Sequence, residues 1–174
     1  MSIDQVSFRP VAEDDLPFLE RFLLDPEATG PFEWHGWRDP RRWRRRWAEN
    51  ALLDSEGGVL LVVSDDERVG LVAWRKIITG QGSYCWNVGI NLLPEARGKG
   101  LGTQAQRHLV RYLFAHTQVA RIEADTESAN VAEQRSLEKA GFTREGVLRS
   151  YAFRDGEWRD AVIYSVLRSE ASSW

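Results

Sequence analysis

The feature that most constrains this chain is a change of hydrophobic period around residue 100. Residues 84–93 (YCWNVGINLL) have the composition of a strand. Leu101, Ala105, Leu109 and Leu113 then recur every four residues, with Tyr112 beside them, as on the buried face of a helix ending near His116. Between the two lies Pro94-Glu95-Ala96-Arg97-Gly98-Lys99-Gly100-Leu101-Gly102-Thr103. Glycine at a helix start costs backbone entropy, so its concentration here calls for a reason. Unshielded amides at the start of a helix, together with the helix dipole, form an anion cradle, and the expected occupant is a phosphate. Two familiar phosphate loops do not fit. The Walker pattern needs Ser or Thr after the lysine, where Gly100 follows Lys99, and the dinucleotide fingerprint needs a glycine where Thr103 stands. The spacing is instead Arg97-x-x-Gly100-x-Gly102.

The elements around this loop read as β α α β β β α β α β β. A short strand over 6–11 precedes a helix carrying Leu16, Phe18, Leu19, Phe22 and Leu23, which ends near Asp25-Pro26. Residues 26–38 (PEATGPFEWHGWR) are too irregular for either period and form an aromatic loop. Asp39 and Pro40 then start a second helix over roughly 40–53, with Trp43 and Trp47 one turn apart on its buried face. Gly57-Gly58 breaks the chain before strands at 59–64, 68–77 and 84–93, an antiparallel meander. After the helix from Leu101 come a strand at 120–125, a helix from Asn130 to Ala140 closed by Gly141, and a final hairpin turned at Asp155-Gly156.

The 174 residues make one domain the expectation, spanning 1–174. The longest apolar runs are four or five residues, far below the ~20 needed to cross a bilayer, so no membrane is expected as a partner. No basic and apolar leader opens the chain, which makes the cytoplasm the expected location. One cysteine and three scattered histidines offer no metal-ligand spacing. A net charge of −3 gives no field toward nucleic acid. Arginines 38, 41, 42, 44, 45 and 46 are expected to be the solvated face of the second helix.

The loop after a β-meander, followed by Asn130 and by Glu138-Lys139-Ala140-Gly141-Phe142, resembles the GCN5-related N-acetyltransferase (GNAT) superfamily. The C-terminal stretch EGVLRSYAFRDGEWRDAVIYSVLR is similar to the branch containing the ribosomal-protein N-terminal acetyltransferases. The resemblance implies an α/β fold: a mixed, mostly antiparallel sheet of about seven strands with a V-shaped splay, flanked by about four helices. It implies acetyl-coenzyme A as co-substrate, with its pyrophosphate at Arg97, Gly98, Lys99, Gly100, Leu101, Gly102 and Thr103. Its pantetheine arm would lie along Ile90, Asn91 and Leu92, with Asn130 near the coenzyme. The activity implied is direct acetyl transfer to a primary amine of a metabolite, an antibiotic or a peptide N-terminus. A coenzyme-binding sensor without turnover is the alternative, and a homodimer is compatible with either.

An amine must lose a proton before it attacks, which calls for a base. Glu123 matches a glutamate that serves this role in the superfamily and is preferred as the base over Glu133, the other carboxylate candidate; an ion pair with a neighbouring arginine is its equal alternative. The branch commonly has serine where Glu133 stands, and Asn130-x-x-Glu133 reads as a capping box that would occupy this carboxylate. Some ribosomal-protein enzymes carry a carboxylate at the position of Ala152. Tyr164 is a candidate proton donor. Trp34, His35 and Trp37 are expected to form an aromatic acceptor wall on the side opposite the cradle.

Overall fold

The structure is a computed structural model that describes residues 5–171. Its strands are β1 (Ser7–Pro10), β2 (Leu53–Asp54), β3 (Gly57–Ser64), β4 (Glu67–Gly80), β5 (Ser83–Leu92), β6 (Arg121–Glu127), β7 (Thr143–Arg154) and β8 (Glu157–Leu167). Its α-helices are α1 (Leu16–Leu24), α2 (Pro26–Thr29), α3 (Arg41–Asn50), α4 (Leu101–His116), α5 (Val131–Lys139) and α6 (Arg168–Ala171). The expected strands and helices are present. The elements beyond them, β2, α2 and α6, are two to four residues long, too short to leave a hydrophobic period.

The sheet runs β1-β3-β4-β5-β6-β8-β7, with the two-residue β2 paired to β3. Its pairings are antiparallel except that of β5 with β6, which is parallel and limited to Trp86↔Ile122 and Asn87↔Glu123. A parallel neighbour needs a crossover, and α4 supplies it. On one face, Leu60, Val62, Val72, Trp86, Ile122, Ala124 and Tyr164 pack against Leu109 and Leu113 of α4 and Leu137 of α5. On the other, Val59, Leu61 and Leu71 pack against Leu16, Leu19 and Phe22 of α1. Burial on both faces explains why β3 reads as an unbroken apolar run rather than an alternation.

Local departures from the sequence reading have identifiable causes. Gly57 and Gly58 lie inside β3, because a Cβ on Gly58 would come within 2.2 Å of the Trp74 indole and one on Gly57 within 2.2 Å of the Trp74 carbonyl. The second helix stops at Asn50, short of 53, because Ala51 and Leu52 take positive φ and the Asn50 side chain accepts the Leu52 N–H at 2.9 Å. Asp39 does bind the start of that helix, accepting the Arg41 N–H at 3.0 Å. Trp43 and Trp47 are partly buried against the α1 core, and the Trp47 indole donates to the Val11 carbonyl at 2.7 Å. Of the helix arginines, Arg41 and Arg45 pair with Asp39 and Arg44 reaches Glu13 and Glu20, all on the surface.

Asp15 fastens the first strand and helix to the sheet. Its side chain is only 4% exposed, and it accepts from Arg9 at 2.5 and 2.8 Å, from the Ala12 N–H at 2.9 Å and from Arg68 at 3.2 Å. The Arg9 hydrogen bonds lead in holding its carboxyl down at about 2, against the cost of burial. A depressed carboxylate contributes stability that is complete above the usual range near 4 and is lost as the pH falls toward the folded value. Asp15→Asn should therefore lower stability at pH 7 by about 2 kcal/mol, and the deficit against wild type should shrink between pH 4 and pH 2 in denaturant titrations.

Candidate active site

The site is organised by the place where the sheet opens. Beyond Asn87, β5 and β6 no longer pair, while β5 stays bonded to β4 through Leu92. Residues Val88 to Leu92 thus have one bonded side and one side free toward the opening, and Ile90, Asn91 and Leu92 lie on it. Asn87 marks the parting point, and its amide donates to Asp125 of β6 at 2.9 Å.

The glycine loop leads from that opening into α4. Gly98 and Gly100 take φ of +73° and +79°, conformations that favour glycine, and a Cβ at either would meet nothing within 4 Å. The first bond along the helix runs from the Gln104 N–H to the Gly100 carbonyl, so the amides of Leu101, Gly102 and Thr103 precede the helix ladder. Open space over unshielded amides at the start of a 16-residue helix fits a pyrophosphate, and Lys99 is exposed beside it. Arg97 is directed elsewhere: its guanidinium donates to the Leu92 carbonyl at 2.9 Å and the Ala28 carbonyl at 2.6 Å. It clamps the loop to α2 and the end of β5.

The helix α5 starts beside the same opening. Asn130 accepts the Glu133 N–H at 3.3 Å, so it is a true N-cap, but the Glu133 side chain does not return to the cap amide. It accepts a hydrogen bond from Gln106 of α4 instead, and the expected capping box is only half made. Burial, reinforced by the charge of Glu33 and opposed by the Gln106 bond, pushes the Glu133 carboxyl up to about 7. Glu33 keeps an exposed edge, yet the protein crowded around its carboxyl raises its pKa, and Asp125 adds to the rise. Glu127, which also repels Glu33, is held by Arg154 at 2.7 Å, with both side chains about nine-tenths buried.

The other candidates are dispersed. Glu123 lies where β5 and β6 still pair and accepts from Arg121 at 3.2 Å, so the ion pair is made. Tyr164 is fully buried on the helix side of β8 and donates to Glu138 at 3.1 Å, which makes it a core residue rather than one lining the opening. Trp34 and Trp37 meet edge to face at 5.8 Å, with Trp37 79% exposed, and His35 is exposed. Trp34 shares a cleft of about 510 Å³ with Glu27, Gly30, Pro94, Arg97, Arg154 and Asp155. The cleft thus reaches from the aromatic loop to Pro94 and Arg97, ahead of the glycines. Sequence reasoning missed Glu33, Gln106, Ser136 and Arg154. Gln106 alone had a signal, as a polar residue beside the apolar stripe of α4.

A splayed sheet edge that leads into a glycine-rich helix start suited to a phosphate is the arrangement of a transferase for a coenzyme-borne acyl group. The acetyltransferase (GNAT) domain family matches residues 5–143, and the chain belongs to that family. It is 34% identical over 111 residues to Probable N-acetyltransferase YjcK of Bacillus subtilis (strain 168), covering 64% of this chain but 61% of that protein. It is 30% identical to aminoglycoside N(6')-acetyltransferase type 1 of Klebsiella pneumoniae over 84% of this chain and 78% of that protein. The ribosomal-protein branch is represented by the [Ribosomal protein uS5]-alanine N-acetyltransferase of Escherichia coli (strain K12), 28% identical over 57% of this chain and 50% of that protein. Among solved structures, spermidine N-acetyltransferase from Vibrio cholerae in complex with CoA and spermine superposes with a TM-score of 0.85 at 19% identity, covering 98% of this chain and 99% of that one. The expected splayed fold is thus the observed one.

The cradle can be tested apart from the fold. A Cβ at Gly102 would meet Leu92 and Ser136 at an ordinary 3.6 Å, so the protein accommodates it. Gly102→Val should keep a near-normal melting temperature while its branched methyls obstruct the amides. Calorimetry with coenzyme A should show affinity weakened about tenfold or more.

Proposed function

We propose that this N-acetyltransferase moves the acetyl group of acetyl-coenzyme A directly to a primary amine of a small cationic molecule, with Glu133 as the proton acceptor. The observation that carries the reading is the Glu133 carboxyl, pushed up to about 7, bonded to Gln106 of α4 and one turn of α5 from Ser136, whose hydroxyl meets that of Thr103. A carboxyl in that range is ionised enough near neutral pH to accept a proton and basic enough to hold it. Glu123 is the weaker choice, because its carboxylate already faces the Arg121 guanidinium.

The amides of Gly98 to Thr103 would hold the pyrophosphate, and the free side of β5 from Ile90 to Leu92 would pair with the pantetheine arm. Bound there, the coenzyme supplies an acetyl thioester. A β5 amide directed into the gap can stabilise the oxyanion that develops during attack. Asn130 fixes the start of α5 and, with it, the position of Glu133. The carboxylates of Glu33 and Asp125 favour an acceptor that arrives positively charged, and Trp34 offers a ring face to such a cation. The similarity to an aminoglycoside acetyltransferase over 84% of the chain agrees with a small amine carrying several charges.

The discriminating experiment is thiol release from acetyl-coenzyme A across polyamines, aminoglycosides and N-terminal peptides of ribosomal proteins. Turnover with the cationic small molecules is expected. Turnover confined to the peptides would reject the acceptor class, and coenzyme binding without turnover on any amine would favour the sensor. Because Glu133 must be ionised to act, activity should rise with pH through an acid limb centred near 7. Glu133→Gln should lower kcat about 100-fold and abolish that limb, whereas Glu123→Gln should leave its midpoint in place. Trp34→Ala should raise the acceptor KM several-fold, on the order of one lost cation–π contact, with coenzyme affinity unchanged.

A further inference from the structure

We propose that Gln106 is a positioning residue for Glu133, its amide N–H directed at the carboxylate and its carbonyl joined to a hydroxyl chain that runs from the glycine loop through Thr103 and Ser136. The proposal rests on the reading of Glu133 as the base, but the contacts that carry it are independent of that reading. Gln106 is 3% exposed and lies on α4, one turn beyond Thr103. Its carbonyl oxygen accepts from the Ser136 hydroxyl at 3.0 Å, and its amide nitrogen donates to the Glu133 carboxylate. Ser136 has one proton and spends it on Gln106, so in the contact of 3.0 Å between the Thr103 and Ser136 hydroxyls Thr103 is the donor. The direction of the chain follows: Thr103 to Ser136, Ser136 to the Gln106 carbonyl, and the Gln106 N–H to Glu133.

This polarity matters because a glutamine amide can turn over. Turned, it would aim its carbonyl at the Glu133 carboxylate and its N–H at Ser136. An ionised carboxylate can only accept, so ionised Glu133 selects the orientation with the Gln106 N–H toward it, and the Ser136 hydroxyl complements that orientation by donating to the Gln106 carbonyl. Glu33 of the aromatic loop opposes that ionised form by like charge, with Asp125 and Glu127 of β6 and Arg38 and Arg154 acting on Glu33 in turn. On α4 the group that bonds Glu133 is the neutral Gln106. Gln106 therefore decides how far burial and Glu33 can raise the carboxyl. The chain also begins on Thr103, in the first turn of the helix whose amides form the cradle, so the orientation of the base is tied to the element that holds the coenzyme.

Gln106→Leu removes the N–H and keeps an apolar side chain of similar size in the core. Carbon-13 NMR of protein labelled at glutamate side-chain carboxyls, with the Glu133 resonance assigned by its loss in Glu133→Gln, follows the titration without any turnover. The Glu133 midpoint should move upward by about one to two pH units in Gln106→Leu, the displacement expected when a hydrogen bond to a charged group is lost. The acid limb of kcat should move with it, activity at pH 9 should approach wild type, and the coenzyme KM should change less than about twofold. A purely structural role would lower activity equally at every pH. If Gln106→Leu fails to fold, Ser136→Ala removes the hydroxyl that donates to the Gln106 carbonyl and should give a smaller shift of the same sign. An unmoved Glu133 titration in the folded variant overturns the proposal. A moved titration with an unmoved acid limb upholds the positioning role and removes Glu133 as the base.

Discussion

The two-pair length of the β5–β6 ladder is the constraint on which the rest of the molecule depends. Once Trp86 and Asn87 have paired with Ile122 and Glu123, the strands part, and backbone that would bond in a closed sheet faces a gap. An unpaired edge inside a sheet is costly unless something else can bond to it. That cost suits the gap to an extended, amide-bearing arm that could bond to the free edge. The gap is kept open by well-packed surroundings: β5 stays bonded to β4 along its length, β6 stays bonded to β8 from Arg121 to Glu127, and α4 spans the two halves.

Charge at the gap is divided by side. On the glycine-loop side, backbone amides and Lys99 present positive potential suited to an anion, and the Arg97 guanidinium is used to bind the loop to α2. Away from it stand Glu33, Asp125 and Glu127, of which Glu127 is neutralised by Arg154. An anionic donor and a cationic acceptor would thus approach from surfaces of opposite character. Desolvation and neighbouring carboxylates raise both Glu33 and Glu133, the condition under which a carboxylate can become a useful base at neutral pH.

Much of this was legible in the amino-acid sequence. The switch from strand to helix period at Leu101, the glycines before it and the turn residues at Asp65-Asp66 and Asp155-Gly156 are local signals. The structure realises them, with positive φ at both turns. Local signals also misled. Gly57-Gly58 looked like a break and is instead the floor beneath the Trp74 indole, a partner 16 residues away from Gly58 in sequence. Asn130-x-x-Glu133 looked like a capping box, a motif defined within one turn of helix, yet Glu133 turns to Gln106, 27 residues distant.

The sequence by itself determined the fold class, the glycine-rich entry to α4 and the family, because each depends on periodicity and backbone freedom within a few neighbouring residues. Tertiary structure decided the surroundings of each candidate carboxylate. Glu123 and Glu133 are equivalent as letters, and they differ only in what the fold sets beside them: an arginine from the same strand for one, burial and a glutamine from another helix for the other. A pKa is a property of the surroundings, and those surroundings exist only once α4, α5 and the aromatic loop have packed around the open edge.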